Sequence, residues 1–236
     1  MAQNLKAAMA MEKVYRKLQN NWQAKTAFGY HDKMKQFGFA DTVEYERAKS
    51  LYFLKNSDIP VEYIDVTELY IKRRDAIDNC SEVCHIVTAS NNTVIRGLQS
   101  EYNETYCSDN NIFVFEHPAS GVLVTTPDDL IVSIVCKRHG LEQYLLELIR
   151  DTLVKFGIDC YIDGNDILYQ DKKLLGFASM EFGCVSVYAF QISFVVDLEL
   201  IQTICYKPIV KQPMGISEVS RITRDQVISR IVQWLQ

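Results

Sequence analysis

Apolar residues recur at helical spacing in several parts of the chain. Between Asn4 and Lys25 they fall three or four positions apart, which predicts an amphipathic helix. A second helix is predicted from Asp41, whose carboxylate can cap the first turn while Glu44 completes a capping box. Further helices are predicted over residues 67–77, 141–156, 198–205 and 223–235.

Short apolar runs between these helices predict strands. They cover residues 61–66, 83–89, 93–96, 112–116, 122–125, 130–136, 158–162, 167–169, 173–176 and 185–196. Strands in succession with helices packed outside them predict an α+β fold, an α/β sandwich around a mixed β-sheet. Because the Pro60 region ends the N-terminal helical unit and an extended segment follows, we predict a helical segment of residues 1–60 that packs on a main domain of residues 61–236.

Composition and charge narrow the class of function. The chain has 236 residues, 48% hydrophobic and 23% charged, as in ordinary soluble globular proteins. A net charge of −5 argues against nucleic acid as the partner, because phosphate binding needs clustered Lys and Arg. The run Lys72-Arg73-Arg74 is followed at once by Asp75, so it is predicted to be a solvated helix end. The sequence shows neither a signal peptide nor an apolar run of the ~18 residues that a membrane span needs, which predicts a cytoplasmic protein without membrane contact.

The cysteines do not suggest a disulfide framework, because there are seven of them at irregular spacing. Three lie in apolar strand-like runs, where a free thiol behaves as a small hydrophobic group: Cys136, Cys160 and Cys184. Cys80, Cys84 and His85 lie close together in the sequence as metal ligands can, but no second pair of ligands follows at zinc-site spacing. We therefore predict free thiols in a reducing cytoplasm and no metal site.

Several motifs occur in a fixed order between residues 84 and 221. They are a strand with an Asn-rich turn in 84–135, the loop Phe-Glu-His-Pro-Ala-Ser-Gly-Val at 115–122, Gly-Asn-Asp-Ile-Leu at 164–168, Asp-Lys-Lys-Leu-Leu-Gly at 171–176 and Gly-Ile-Ser-Glu-Val-Ser-Arg at 215–221. This ordered set resembles the lipoate–protein ligase family, whose domain handles lipoate, octanoate and biotin. The resemblance implies a biotin/lipoate ligase-like fold, to which this chain adds N-terminal helices.

The resemblance also implies roles for particular residues. In the family, ATP activates a carboxylate, and the acyl group of the acyl-adenylate passes to a lysine of a carrier domain. Lys173 takes the place of the lysine that reaches the acyl carbonyl and the α-phosphate, and Asn165 and Asp166 that of the polar pair beside ATP and its Mg²⁺. Ser120 and Gly121 stand in the loop that binds the nucleotide phosphate.

That loop departs from the family pattern RRxSGGGxVxHD. Phe115 and Glu116 replace the arginine pair, which places a carboxylate where phosphate charge must be bound. Pro118 removes a backbone donor, and Thr125 stands at the histidine position. Two unit charges ~4 Å apart at an effective dielectric of ~20 repel by roughly 4 kcal/mol, which predicts a loss of several orders of magnitude in ATP-dependent catalysis.

Octanoyl transferases of this fold use a cysteine in a Pro-Cys-Gly turn instead of ATP. The matching turn here is Pro213-Met214-Gly215, and a methionine cannot form the thioester. Cys184 and Cys205 are the nearby thiols.

Two functions therefore stay open. The first is a non-catalytic relative without a cofactor that binds a protein partner through its N-terminal helices or its sheet surface, such as a bacterial or bacteriophage assembly factor. The second is an active ligase or acyltransferase with a remodelled pocket that uses Lys173, and in the ligase case ATP and Mg²⁺. An open pocket with Lys173 pointing in favours the second. A pocket filled by Phe115, Tyr169 or Met214 favours the first.

Overall fold

The computed structural model describes residues 58–97, 100–117 and 122–235, with the backbone alone at positions 116 and 117. Both predicted N-terminal helices lie outside these residues, so the proposed division near residue 60 stays a prediction. Ser120 and Gly121 also lie outside the described residues, so their proposed role in binding phosphate stays a prediction too. Residues Ile59–Gln233 form one compact unit.

Ten strands form two sheets. Their bounds are β1 (Val61–Asp65), β2 (Val83–Thr88), β3 (Thr93–Gly97), β4 (Phe113–His117), β5 (Val122–Thr125), β6 (Leu130–Cys136), β7 (Tyr161–Asp163), β8 (Asp166–Tyr169), β9 (Lys172–Phe182) and β10 (Val185–Ile192). Seven strands form the larger sheet in the order β1-β2-β6-β10-β9-β8-β7. In it β1 and β2 are parallel and the other pairs antiparallel, which confirms the predicted mixed sheet.

The smaller sheet has three strands in the order β4-β3-β5. Strand β3 pairs in parallel with β4 and antiparallel with β5. The sequence predicted these strands but not that they leave the larger sheet. Alternation alone cannot decide this, because a half-buried strand has the same pattern in either sheet.

Five α-helices lie among the described residues: α1 (Leu69–Asp78), α2 (Glu104–Asp109), α3 (Glu142–Lys155), α4 (Leu198–Ile204) and α5 (Arg224–Leu235). A 3₁₀ turn covers Ile216–Glu218. The short helix α2 was not predicted, although Asn103 caps it by accepting a hydrogen bond from the amide of Tyr106 at 3.1 Å. No helix within the described ranges is long and apolar enough to cross a membrane.

The two faces of the β9–β10 pair carry side chains of different size. On one face Phe177 pairs with Phe190, and their rings stack with centroids 6.4 Å apart. Because side chains alternate along a strand, the other face carries the next residues, among them Gly176, Ala178 and Ala189. These small residues leave space on that face, and the candidate site occupies it.

One cysteine prediction was wrong. Cys184 is not a free thiol but forms a disulfide with Cys80, with Cα atoms 6.0 Å apart. The bond joins the turn after α1 to the segment just before β10, and its 104-residue separation explains why local spacing did not reveal it. Cys136 and Cys160 are free and buried, as predicted.

Candidate functional site

Two cavities with shared walls lie on the small-residue face. The first, which we call the apolar arm, has a volume of about 260 Å³ and the second, the polar arm, about 300 Å³. The apolar arm is lined mainly by hydrocarbon side chains, including Leu69, Ile95, Leu123, Ile131, Ala178 and Ala189. Arg73 also lines it; contrary to the prediction of a solvated helix end, this residue is buried, and its Nε donates to Ser133 Oγ at 3.1 Å. Lys173, Gly176 and Gln191 line both arms, so the arms meet at these residues.

Lys173 lies at this junction, near the start of β9. A tight hairpin precedes it, in which Gln170 and Asp171 both have positive φ, as in a type I′ turn. Its Nζ lies 2.8 Å from Oδ1 of Asp166 on the neighbouring strand β8. A Cβ at Gly176 would come within 2.9 Å of the Lys173 Cε and Nζ atoms, so the missing side chain of Gly176 gives the lysine its room.

The predicted polar pair separates in the structure. Asp166 lies beside Lys173, and its side chain is only 18% exposed. Asn165 is exposed in the β7–β8 turn, where its carbonyl oxygen accepts a hydrogen bond from the amide of Phe177 at 2.9 Å. Asn165 therefore has the turn role that its Gly-Asn-Asp context also suggested.

A second lysine, Lys211, shares the carboxylate of Asp166. Its Nζ lies 2.8 Å from Oδ2 of Asp166 and 2.8 Å from Oδ2 of Asp163, and its side chain lines the polar arm. Partial burial acts to raise the pKa of Asp166, but hydrogen bonds from the two lysines outweigh it and hold the pKa below its ordinary value. Hydrogen bonds to the two carboxylates raise the pKa of Lys211. Sequence patterns did not identify Lys211 as a site residue, because only the tertiary fold brings it to β8.

Gln191 and Asp129 form a buried polar pair beside the junction. The Gln191 Nε2 atom donates to Oδ2 of Asp129 at 2.8 Å and to the Val124 carbonyl at 3.2 Å. Asp129 also accepts from the Thr126 amide at 2.8 Å, directly before β6 begins at Leu130. Burial raises the pKa of Asp129 to about 6. The signal for Gln191 was available, since it is a polar residue inside the continuous apolar run of β10.

The described residues do not fit a Mg²⁺ site at this junction. Mg²⁺ takes carboxylate oxygens as ligands, and here each oxygen of Asp166 lies 2.8 Å from an ammonium group. Within the described ranges, no three His, Cys, Asp or Glu side chains are grouped so as to hold a metal ion. The described side chains at this junction are therefore not arranged to bind Mg²⁺.

The three side chains that could have filled the arms, Phe115, Tyr169 and Met214, do not do so. Phe115 packs against a core cluster that includes Ile64, Leu69 and Ile95. Met214 is buried in the segment beside Lys173, and neither it nor Tyr169 is among the lining residues. None of these three described side chains therefore blocks the space beside Lys173.

The two thiols considered as nucleophiles are unsuited to that role. Cys184 is bonded to Cys80. Cys205 lines the polar arm, but burial raises the pKa of its thiol. A thiol needs a lowered pKa to act as an acyl carrier, so the structure argues against both residues.

Comparisons with known proteins agree with the fold. A sequence profile described as lipoyl protein ligase A/B catalytic domain matches residues 60–236. A bipartite lipoate protein ligase from Thermoplasma acidophilum is 15% identical, with a TM-score of 0.64 over 75% of this chain and 82% of that one.

Two further solved structures are similar. A lipoate-protein ligase A bound with ATP is 15% identical, with a TM-score of 0.65 over 75% of this chain and 83% of its own. The T. acidophilum protein Ta0514 with bound lipoic acid has the same identity and coverage and a TM-score of 0.62. No curated protein sequence matches this chain.

Proposed function

This chain belongs to the lipoyl protein ligase A/B catalytic domain family, and from that premise we propose that its two-armed cavity binds a carboxylic acyl ligand. In this proposal the hydrocarbon chain occupies the apolar arm, and the carboxyl end lies at Lys173. The observation that carries it is the placement of Lys173 and Gly176 where a cavity lined mainly by hydrocarbon side chains meets one whose lining also includes Glu101 and three lysines.

Elementary physics supports this orientation. Burying a hydrocarbon chain contributes roughly 0.8 kcal/mol per CH₂ group, which the lining of the apolar arm can provide. The carboxyl end keeps its hydrogen bonds only if a donor faces it, and the Lys173 ammonium is such a donor at the junction. One of the two structural neighbours is bound with ATP and the other with lipoic acid, and the proposal of a carboxylic acyl ligand for this chain is consistent with these bound molecules.

The reaction that this arrangement supports is acyl transfer to an amine. The amine nitrogen attacks the acyl carbon, the bond from that carbon to its leaving oxygen breaks with the electron pair staying on that oxygen, and the nitrogen gives up a proton to water. Negative charge develops on the carbonyl oxygen in the transition state, where the Lys173 ammonium stabilises it. Asp166 orients Lys173, since its Oδ1 lies 2.8 Å from the lysine Nζ. ATP is the source of activation in the ligase form of this proposal.

A second candidate is ligand or protein binding without turnover. Phe115 favours it, because this residue occupies the first position of the family's arginine pair and packs into the core. The engagement of Asp166 by two lysines points the same way, since it leaves no carboxylate oxygen for Mg²⁺. A cytoplasmic assembly factor that uses residues 1–60 or the sheet surface to bind a protein remains a proposal of this class.

Thermal unfolding with ligands separates the candidates. We would measure the wild type with octanoate, lipoate and Mg-ATP, beside two site variants, Ala178→Leu in the apolar arm and Lys173→Ala at the junction. Lys155→Ala is the matched control, because Lys155 is an exposed lysine at the end of α3 outside both arms.

An acyl ligand at 100 times its Kd should stabilise the wild type and Lys155→Ala by about 2.7 kcal/mol. Both site variants should lose most of that shift. The absence of a shift with every acyl ligand would refute acyl binding. A shift without acyl transfer to a carrier-domain lysine would favour binding without turnover.

A further inference from the structure

We infer that Lys211 is the second cation of this site and binds, together with Lys173, the anionic group at the head of the acyl ligand. That group is a carboxylate in a free acid and a phosphate in an acyl-adenylate. The inference rests on the proposed function and adds a residue to it.

The two lysines are coupled through one carboxylate. Asp166 accepts from Lys173 at Oδ1 and from Lys211 at Oδ2, each at 2.8 Å. Both ammonium groups therefore donate to the same carboxylate, and the side chains of both lysines line the polar arm. An anion in that arm can contact both ammonium groups, since a lysine has three donors and its side chain is flexible.

The ion pairs of Lys211 are not needed to hold its segment in place. The amide of Lys173 donates to the carbonyl of Gln212 at 2.8 Å, and the amide of Met214 donates to the carbonyl of Lys173 at 2.9 Å. These backbone bonds fix the segment against β9. The Lys211 side chain, 30% exposed, is therefore placed beside the cavity independently of its own charge.

The charge around the polar arm fits an anionic ligand. Its described lining includes three lysines, Lys173, Lys207 and Lys211, and one carboxylate, Glu101. The carboxylates of Asp163 and Asp166, which pair with Lys173 and Lys211, lie outside that lining. The family's arginine pair is replaced, and Phe115 at its first position packs in the core instead. The positive charge that an anion requires is thus supplied from the segment after α4.

The test is calorimetric titration of the full chain without Mg²⁺. Three probes share an octanoyl chain: uncharged octanamide, octanoate, and octanoyl-sulfamoyl-adenosine, whose sulfamate anion replaces the phosphate. They are titrated into the wild type, Lys211→Ala, Lys211→Arg and the control Lys155→Ala. Circular dichroism and the Tm of each variant show whether it is folded.

We expect Lys211→Ala to weaken the anionic probes by about 10- to 100-fold, the usual effect of losing a charge-assisted hydrogen bond. Octanamide should change by less than about threefold, because it carries no charge for Lys211 to bind. Lys211→Arg and Lys155→Ala should stay close to the wild type. Weakening of the sulfamate probe alone assigns Lys211 to the phosphate, and weakening of octanoate as well assigns it to the carboxylate.

Two outcomes would overturn the inference on its own. One is anionic-probe affinity in Lys211→Ala equal to that in Lys155→Ala. The other is an equal loss for octanamide and the anionic probes, which would assign Lys211 a structural role. If the wild type binds none of the three probes, the proposed function fails and this inference fails with it.

Discussion

Replacing Asp129 by asparagine should make the protein more stable at neutral pH. Asp129 is 3% exposed, and burial raises its pKa from an ordinary 3.8 to about 6. At pH 7 the folded protein therefore holds a carboxylate whose charge costs more in the fold than in the unfolded chain. Asparagine keeps an oxygen that can accept from the Thr126 amide and from Gln191, but it carries no charge.

The size of the effect follows from the two pKa values. One pKa unit corresponds to 1.36 kcal/mol, so the difference between 3.8 and about 6 amounts to about 3 kcal/mol. Between these values the folded state binds more protons than the unfolded state, so the stability of the wild type falls as the pH rises through this window. Well below pH 3.8 both states are protonated at Asp129, and the cost is absent.

Urea denaturation of the wild type and Asp129→Asn between pH 4 and pH 7.5 measures this difference. We expect similar free energies of unfolding near pH 4 and an advantage for the variant that grows to at most about 3 kcal/mol at pH 7. A variant that is less stable than the wild type at pH 7, or a difference that does not change with pH, would show that the charge of Asp129 does not destabilise the folded protein.

Two further predictions test other parts of the structure. Gly176→Ala places a Cβ 2.9 Å from the Lys173 Cε and Nζ atoms, so we expect Lys173 to move away from Asp166 and the affinity for an acyl ligand to fall. The free energy of unfolding should change by only about 1 kcal/mol. Unchanged affinity in a calorimetric titration would contradict this prediction. The bond between Cys80 and Cys184 closes a loop of about 100 residues, for which chain entropy gives about 4 to 5 kcal/mol. Dithiothreitol should therefore lower the Tm of the wild type but not of Cys184→Ser, and equal Tm values for both proteins with and without reductant would mean that the thiols are free.

Local sequence patterns were enough for most elements of the fold. Strands β5 and β6 have the predicted bounds, and α3 differs from its predicted range by one residue at each end. In these segments the spacing of the apolar residues, the turn residues and the burial pattern all favour the same secondary structure, so no other influence competes with the local preference for it. Helix α2 was missed because it has only six residues, too few for a periodic pattern.

The candidate site was only partly predictable, because part of it is local and part is tertiary. Lys173 and Asp166 belong to one hairpin, and a motif within one hairpin can be read from sequence. Lys211 reaches that hairpin only through the path of the chain after α4, and Cys80 meets Cys184 only when α1 lies beside β10. Such contacts depend on three-dimensional packing that single-sequence spacing does not encode.

The most direct test of the acyl-binding account is one calorimetric titration of octanoyl-sulfamoyl-adenosine into the wild type and into Lys173→Ala. The account predicts saturable binding at one site in the wild type and an affinity at least about tenfold lower in the variant, because the lysine at the junction of the two arms is lost. Absence of saturable binding to the wild type, or equal affinity in the two proteins, would contradict it.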